Sequence, residues 1–164
     1  MVEREIREYS CDREKQEKGL FASLFILQTR LQTAFDKADG EMTLKQFMLL
    51  VMTRRALLRG ECPTFTDLGR TLGCSRQNVK KLAALLQKNG FAEIMQSNQD
   101  ARACTLALTE KAEVYLERQA PRNRQMLNRL FADYTDAELT RFYNLMMKLY
   151  QRTSRIEAEG GEDT

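Results

Sequence analysis

From Glu17 to Ala38 the apolar side chains Leu20, Leu24, Leu27, Leu31, Phe35 and Ala38 recur three or four residues apart. That spacing is one face of an α-helix, and Gly40 is placed to end it. Residues 1 to 16, ahead of this face, are charged and read as a frayed or helical lead-in. Thr43 and Gln46 form a Thr-x-x-Gln capping box. It predicts a second helix to about Arg59, packing Phe47, Leu50, Val51 and Leu57 or Leu58. Gly60 and Pro63 close that helix. Thr64 to Leu72 reads as a short helix with Thr64 and Asp67 as its cap pair and Phe65, Leu68 and Leu72 turned inward. After the turn Gly73-Cys74, Ser75 caps a longer helix, Arg76 to Asn89, with Val79, Leu82, Leu85 and Leu86 as its buried stripe and Gly90 as its terminator.

The period then shortens. Phe91 to Gln96 and Ala103 to Leu108 read as strands on either side of a polar loop, a β-hairpin with a long tip. Thr109 begins a helix to about Asp133, in which Pro121 is expected to kink or interrupt the backbone. Thr135 and Glu138 make another capping box. The helix they open carries Leu139, Phe142, Met146, Leu149, Thr153 and Ile156 along one side. The result is a mainly α chain, about six helices and a small hairpin, in the order of a winged helix-turn-helix. The expected division places the winged domain at 41–119. Residues 1–40 and 120–157 form a helical dimerisation region, and 158–164 an acidic disordered tail.

Composition narrows the chemistry. Hydrophobic residues are 43% and charged residues 30% of the 164, which suits a globular chain rather than a disordered one. The absence of histidine removes Ser-His-Asp and Cys-His catalysis and His-ligated metal sites. The four cysteines, Cys11, Cys62, Cys74 and Cys104, are widely spaced, so no metal site and no disulfide framework is read from them. No paired-carboxylate motif or Gly-rich phosphate loop is present, and nothing implies a cofactor or an enzyme. The charged N-terminus is not a signal peptide, and no run nears the roughly 18 apolar residues of a membrane span. These features point to a cytoplasmic protein that makes no membrane contact.

Net charge is only +3, so the placement of charge matters more than its sum. Between Arg76 and Asn89 there are four basic residues and no acidic one. Arg pairs bidentately with guanine, and Gln or Asn with adenine, and Arg76, Gln77 and Asn78 sit at the end of the helix that enters the major groove. Amides near Thr64 and Ser75 suit a phosphate oxygen, and Lys80, Lys81 and Lys88 suit phosphate neutralisation. Asn98 and Arg102 lie at the wing, where Arg can enter a narrow minor groove. Asp100 and Arg102 also suit an ion pair that holds the hairpin, and both roles can coexist. Such a basic helix face otherwise serves as a solvated surface or a protein-interaction module, which is the competing reading. The long apolar faces of the first and last helices, Leu20, Leu24 and Leu27 with Leu139, Phe142, Met146 and Leu149, exceed what a small winged core covers. They point to a second copy of the chain, with an intramolecular pairing of the two helices as the alternative.

The segments TLKQFMLLVMTR, PTFTDLGRTLGCSRQNVKKLAALLQKNGFAE and NQDARACTLALTEKA resemble the MarR family of winged-helix regulators. The likeness covers about Leu20 to Ile156 and includes the wing pattern Asp100-x-Arg102 followed by Leu108-Thr109. Ala112 stands where the family usually has Gly, and Met95-Gln96 where many members carry an Arg. The resemblance implies a homodimer that binds double-stranded DNA at a pseudo-palindromic operator, as a repressor or activator. It also implies a small, often aromatic or otherwise hydrophobic, effector, for which Phe21, Phe25, Phe47, Met48, Met52 and Tyr115 are candidate lining residues. Simple core packing is the other reading of those six. Ser23 stands in the GLFASLF stretch where the peroxide-sensing branch has its cysteine, so sensing of that type is not expected. Cys74 adjoins the recognition helix, where the dipole can lower a thiol pKa. A buried structural thiol is its alternative role.

Overall fold

The computed structural model describes residues 12–96 and 103–160. Asp12 accepts the amide of Glu14 and opens helix α1, Arg13–Asp39, which ends at Gly40 in the left-handed region. The turn that follows is closed by carboxylates. Asp39 Oδ1 accepts the amides of Glu41 and Met42, and Asp36 accepts that of Leu44 at 2.6 Å. Thr43 and Gln46 complete a reciprocal capping box at the start of α2, Leu44–Leu58. A box of the same form, Thr64 with Asp67, opens α3, Phe65–Leu72, and Gly73 at φ 63° ends it. Ser75 Oγ accepts the amide of Asn78 and starts α4, Arg76–Lys88. Strands β1, Ala92–Gln96, and β2, Cys104–Leu108, pair antiparallel, with Ala92 opposite Leu108 and Ile94 opposite Leu106. Thr64 adds a bridge to Thr105, so the hairpin is joined to the N-cap of α3. Helices α5, Glu110–Leu130, and α6, Asp136–Gly160, complete the described residues, which hold six helices in all.

The chain divides into two compact units between Leu116 and Glu117. In the first, Leu49 and Leu50 of α2, Phe65 and Leu68 of α3, Val79, Ala83 and Leu86 of α4, and Leu106 of β2 form a buried core with Phe91 and Tyr115. Phe91 meets Tyr115 edge to face at 5.3 Å. An Arg54–Glu113 ion pair at 2.7 Å joins α2 to the first turn of α5. The Tyr115 hydroxyl donates to Asp39 Oδ2, so the α1–α2 turn is tied to α5 as well. In the second unit, Tyr134 meets Phe131 edge to face at 5.8 Å and stacks on Phe142 at 6.2 Å between centroids, around the turn between α5 and α6. The Thr135–Glu138 capping box is present at that turn.

Several expectations change. Leu85 is 47% exposed, because at 100° per residue it lies about 127° from the centre of the stripe that Val79, Ala83 and Leu86 define. On α2 the buried positions after Leu50 are Thr53 and Ala56, one and two turns on, and Leu57 and Leu58 are exposed. Helix α5 continues through Pro121 rather than stopping there. Pro121 lacks the amide that would bond the Glu117 carbonyl, so one helical hydrogen bond is missing and the rest of the helix holds. Helix α6 reaches Gly160, past the expected start of the tail at 158; residues 161–164 lie outside the described ones. Of the α1 stripe only Phe35 is buried, against Phe47 at 5.0 Å. Within the single chain, α1 belongs to the first compact unit with the winged elements.

Candidate nucleic-acid interface

The site is assembled by the turn between α3 and α4. Gly69 is buried, and its carbonyl accepts the Cys74 amide at 2.9 Å. A Cβ on Gly69 would stand 2.6 Å from the Cys74 carbonyl oxygen, so only glycine lets the two backbones meet here. Cys74 is half-buried and packs on the core, as expected for a structural thiol. Cys11 lies outside the described residues.

Beyond that turn, Val79, Ala83 and Leu86 hold α4 against the core. Arg76, Gln77, Asn78, Lys80, Lys81 and Lys88 are left exposed. Arg76, Gln77 and Lys80 line one shallow concavity. The first turn of α4 carries no acidic side chain, so the positive end of the helix dipole and the cations act with one sign. This is the chemistry a polyanion requires. Six of the ten expected contacts thus share one helix. Ser75 and Thr64 serve as caps, with Oγ of Ser75 committed to Asn78 and the Thr64 hydroxyl committed to Asp67 at 2.6 Å. That hydroxyl, and then the Thr64 amide, hold the Asp67 carboxyl below its ordinary pKa. Asn98, Asp100 and Arg102 lie outside the described residues.

The sequence reading missed Arg70. It projects from α3 with 79% of its side chain exposed, 3.8 Å from Asp67, on the helix that crosses the DNA backbone in helix-turn-helix proteins. A basic residue three positions after an acidic one reads as a solvated pair, so no periodicity singles it out. Three ties at the base of the wing were missed too. Gln87 Oε1 accepts the Ile94 amide, Thr109 Oγ1 donates to the Gly90 carbonyl, and Lys111 Nζ donates to that of Asn89, each at 2.8 Å. They depend on contacts between elements and leave no local pattern.

The six candidate pocket residues have mixed surroundings. Phe21 and Phe25 are exposed on α1, edge to face at 5.1 Å. Phe47, Met48 and Met52 are half-buried on α2, and Phe47 and Met52 rest on the core. Tyr115 is buried with its hydroxyl bonded to Asp39. Its position is that of a core residue. Of the candidate dimer residues, Leu20, Leu27, Leu139, Phe142 and Leu149 are exposed, while Leu24 and Met146 are half-buried.

A helix-turn-helix with a hairpin joined to its first short helix defines a winged-helix protein. No protein-family model matches the chain. The chain is 30% identical over 95 residues to the transcriptional repressor MprA of Escherichia coli K12, a match of 58% of this chain and 54% of that one. It thus spans about half the length of the curated relatives it matches. A MarR/EmrR-family transcriptional regulator from Acinetobacter sp. ADP1 superposes with a TM-score of 0.75 over 85% of this chain and 97% of that one, at 15% identity. A MarR-family regulator from Streptomyces coelicolor, solved in complex with DNA, superposes at 0.72 over 83% and 86%, at 21% identity. The chain therefore has the winged-helix fold of these MarR-family structures, the fold that the resemblance in its sequence implied. Among the described residues no helix is long and apolar enough to cross a membrane.

Proposed function

We propose that the chain is a sequence-specific DNA-binding transcriptional regulator. It acts as a homodimeric repressor on a pseudo-palindromic operator in the cytoplasm, and is not an enzyme. The observation that carries this reading is the exposed face of α4. It is free of acid, rich in amide and guanidinium donors at its N-terminal end, and fixed to the core by a turn that only glycine permits. The fold shared with a regulator solved on DNA, and the sequence likeness to a named repressor, support it. The exposed apolar faces of α1 and α6 support the homodimer. A second copy that covers them provides two recognition helices, which read half-sites about one DNA turn apart. Release by a small hydrophobic effector belongs to the same reading and follows from the family resemblance.

Selection of binding sites from random duplex DNA, followed by the salt dependence of binding to the selected site, tests it. An inverted repeat with a steep fall of affinity in salt is the expected result. No enrichment and no salt-dependent retention would overturn the reading and favour a winged-helix module that binds protein.

A further inference from the structure

The wing of a winged helix is useful only if its strands keep a fixed angle to the recognition helix. Two edges of the hairpin are available for holding it. The edge of β2 is taken by Thr64, which bridges Thr105. The edge of β1 follows from the phase of the ladder. Thr109 donates its amide to the Phe91 carbonyl, which marks that pair as hydrogen-bonded. Antiparallel pairs alternate, so Ile94 and Leu106, three pairs further along, form a non-bonded pair and the Ile94 amide points out of the hairpin. An outward amide on an edge strand needs an acceptor. It finds one in the side chain of Gln87, at 2.8 Å.

Gln87 lies seven residues after Lys80, two turns of helix on, so it shares that residue's side of α4. By sequence it belongs to the polar face that meets DNA. Its side-chain oxygen is instead directed at the wing. We infer that Gln87 is a positioning residue: it holds the first wing strand on the recognition helix and affects DNA affinity through the wing without touching DNA. Thr109 and Lys111 fix the turn that separates the two elements, by way of the Gly90 and Asn89 carbonyls. Lys111 also lies 4.4 Å over the Phe91 ring. Those bonds hold the turn; Gln87 alone among these side chains reaches the strand itself. The assignment rests on the DNA-binding reading for its effect on affinity, and on geometry alone for the tie.

The test compares Gln87→Ala with Gln87→Glu. Glutamate keeps an oxygen that can accept the Ile94 amide, but it would bring a negative charge to a base or phosphate if the side chain touched DNA. Affinity for the selected duplex is measured at about 0.3 M salt, where the added charge is largely screened. Hydrogen exchange of the Ile94 amide is measured in the DNA-free protein. The expected result is an affinity loss of about tenfold for Gln87→Ala and at most about threefold for Gln87→Glu, with faster Ile94 exchange in the alanine variant only. A glutamate variant that loses as much as the alanine variant, or more, makes Gln87 a direct contact and overturns the inference. So does an Ile94 amide that exchanges at the wild-type rate in Gln87→Ala. Failure of the DNA-binding reading shows differently: the wild-type chain retains no duplex. The affinity part of the inference then falls with that reading, and the Ile94 exchange still reads the tie.

Discussion

At the scale of single residues, the proposed DNA-binding function divides the exposed face of α4 into side chains that would read bases and side chains that would meet phosphates. Arg76→Ala and Gln77→Ala should each weaken binding to the selected site by roughly 1–3 kcal/mol and relax base preference at one position per half-site. Lys80→Ala should weaken all sequences alike and flatten the salt slope by about one. Equal loss on every sequence from Arg76→Ala, in a competition assay over site variants, would argue that the guanidinium only meets phosphate. A buried residue gives an independent test. Thr53 is fully buried, and its hydroxyl has no hydrogen-bond partner among the described residues. An unsatisfied buried hydroxyl costs stability that a methyl group does not. Thr53→Val should therefore raise stability by about 1 kcal/mol, read from the denaturant midpoint at unchanged slope.

At the scale of elements, the capping boxes link sequence to pH. Asp67 and Glu138 both have carboxyl pKa values below their ordinary ones, in each case first through the hydrogen bond from the threonine three residues earlier. A depressed folded-state pKa means the unfolded chain binds protons first. The stabilisation is thus complete above the ordinary carboxylate range and is lost as pH falls through that range and below it. Thermal melts should show a stability decline in acid that Asp67→Asn reduces. Loss of the cap itself, in Thr64→Ala, should cost about 1 kcal/mol at neutral pH. The helix-turn-helix corner is less tolerant. Gly69→Ala sets a methyl against the Cys74 carbonyl, backbone against backbone, and should cost about 1–3 kcal/mol while it shifts α4 relative to α3. A Gly69→Ala protein with wild-type melting and wild-type DNA affinity would show that the corner has slack. These elements were legible because caps and terminators act over three or four residues. Thr43, Thr64, Ser75 and Thr135 each stand where the structure begins a helix.

At the scale of the whole molecule, the question is what covers α1 and α6. Leu20 is 67% exposed and Phe142 43% exposed in the single chain, and the neighbours Phe21, Phe25, Tyr143 and Tyr150 are exposed with them. Apolar surface of this kind is burial free energy not yet realised, at roughly 25 cal/mol per Å². Sedimentation should give twice the chain mass at micromolar concentration. Phe142→Arg should shift the protein toward monomer and weaken operator binding far more than binding to a half-site, because the two recognition helices are no longer linked. A monomeric wild type with full operator affinity would sink the dimer reading.

The sequence by itself determined the kinds of element, their order and most of their ends. Those depend on the spacing of apolar residues and on caps, which are local. It also determined the cationic, acid-free character of α4, since helical periodicity alone separates Val79 and Leu86 from Lys80 and Lys88. The tertiary structure decided matters of packing. It placed Ala83 rather than Leu85 on the core face, and it let α5 run through Pro121, where one missing hydrogen bond did not end the helix. It bonded Tyr115 to Asp39 across the fold, and it turned Gln87 from a face-lining polar residue into the acceptor for a wing-strand amide. The last two depend on which groups folding brings within about 3 Å of one another, and hydrogen bonds of that kind have no signature in the chain order.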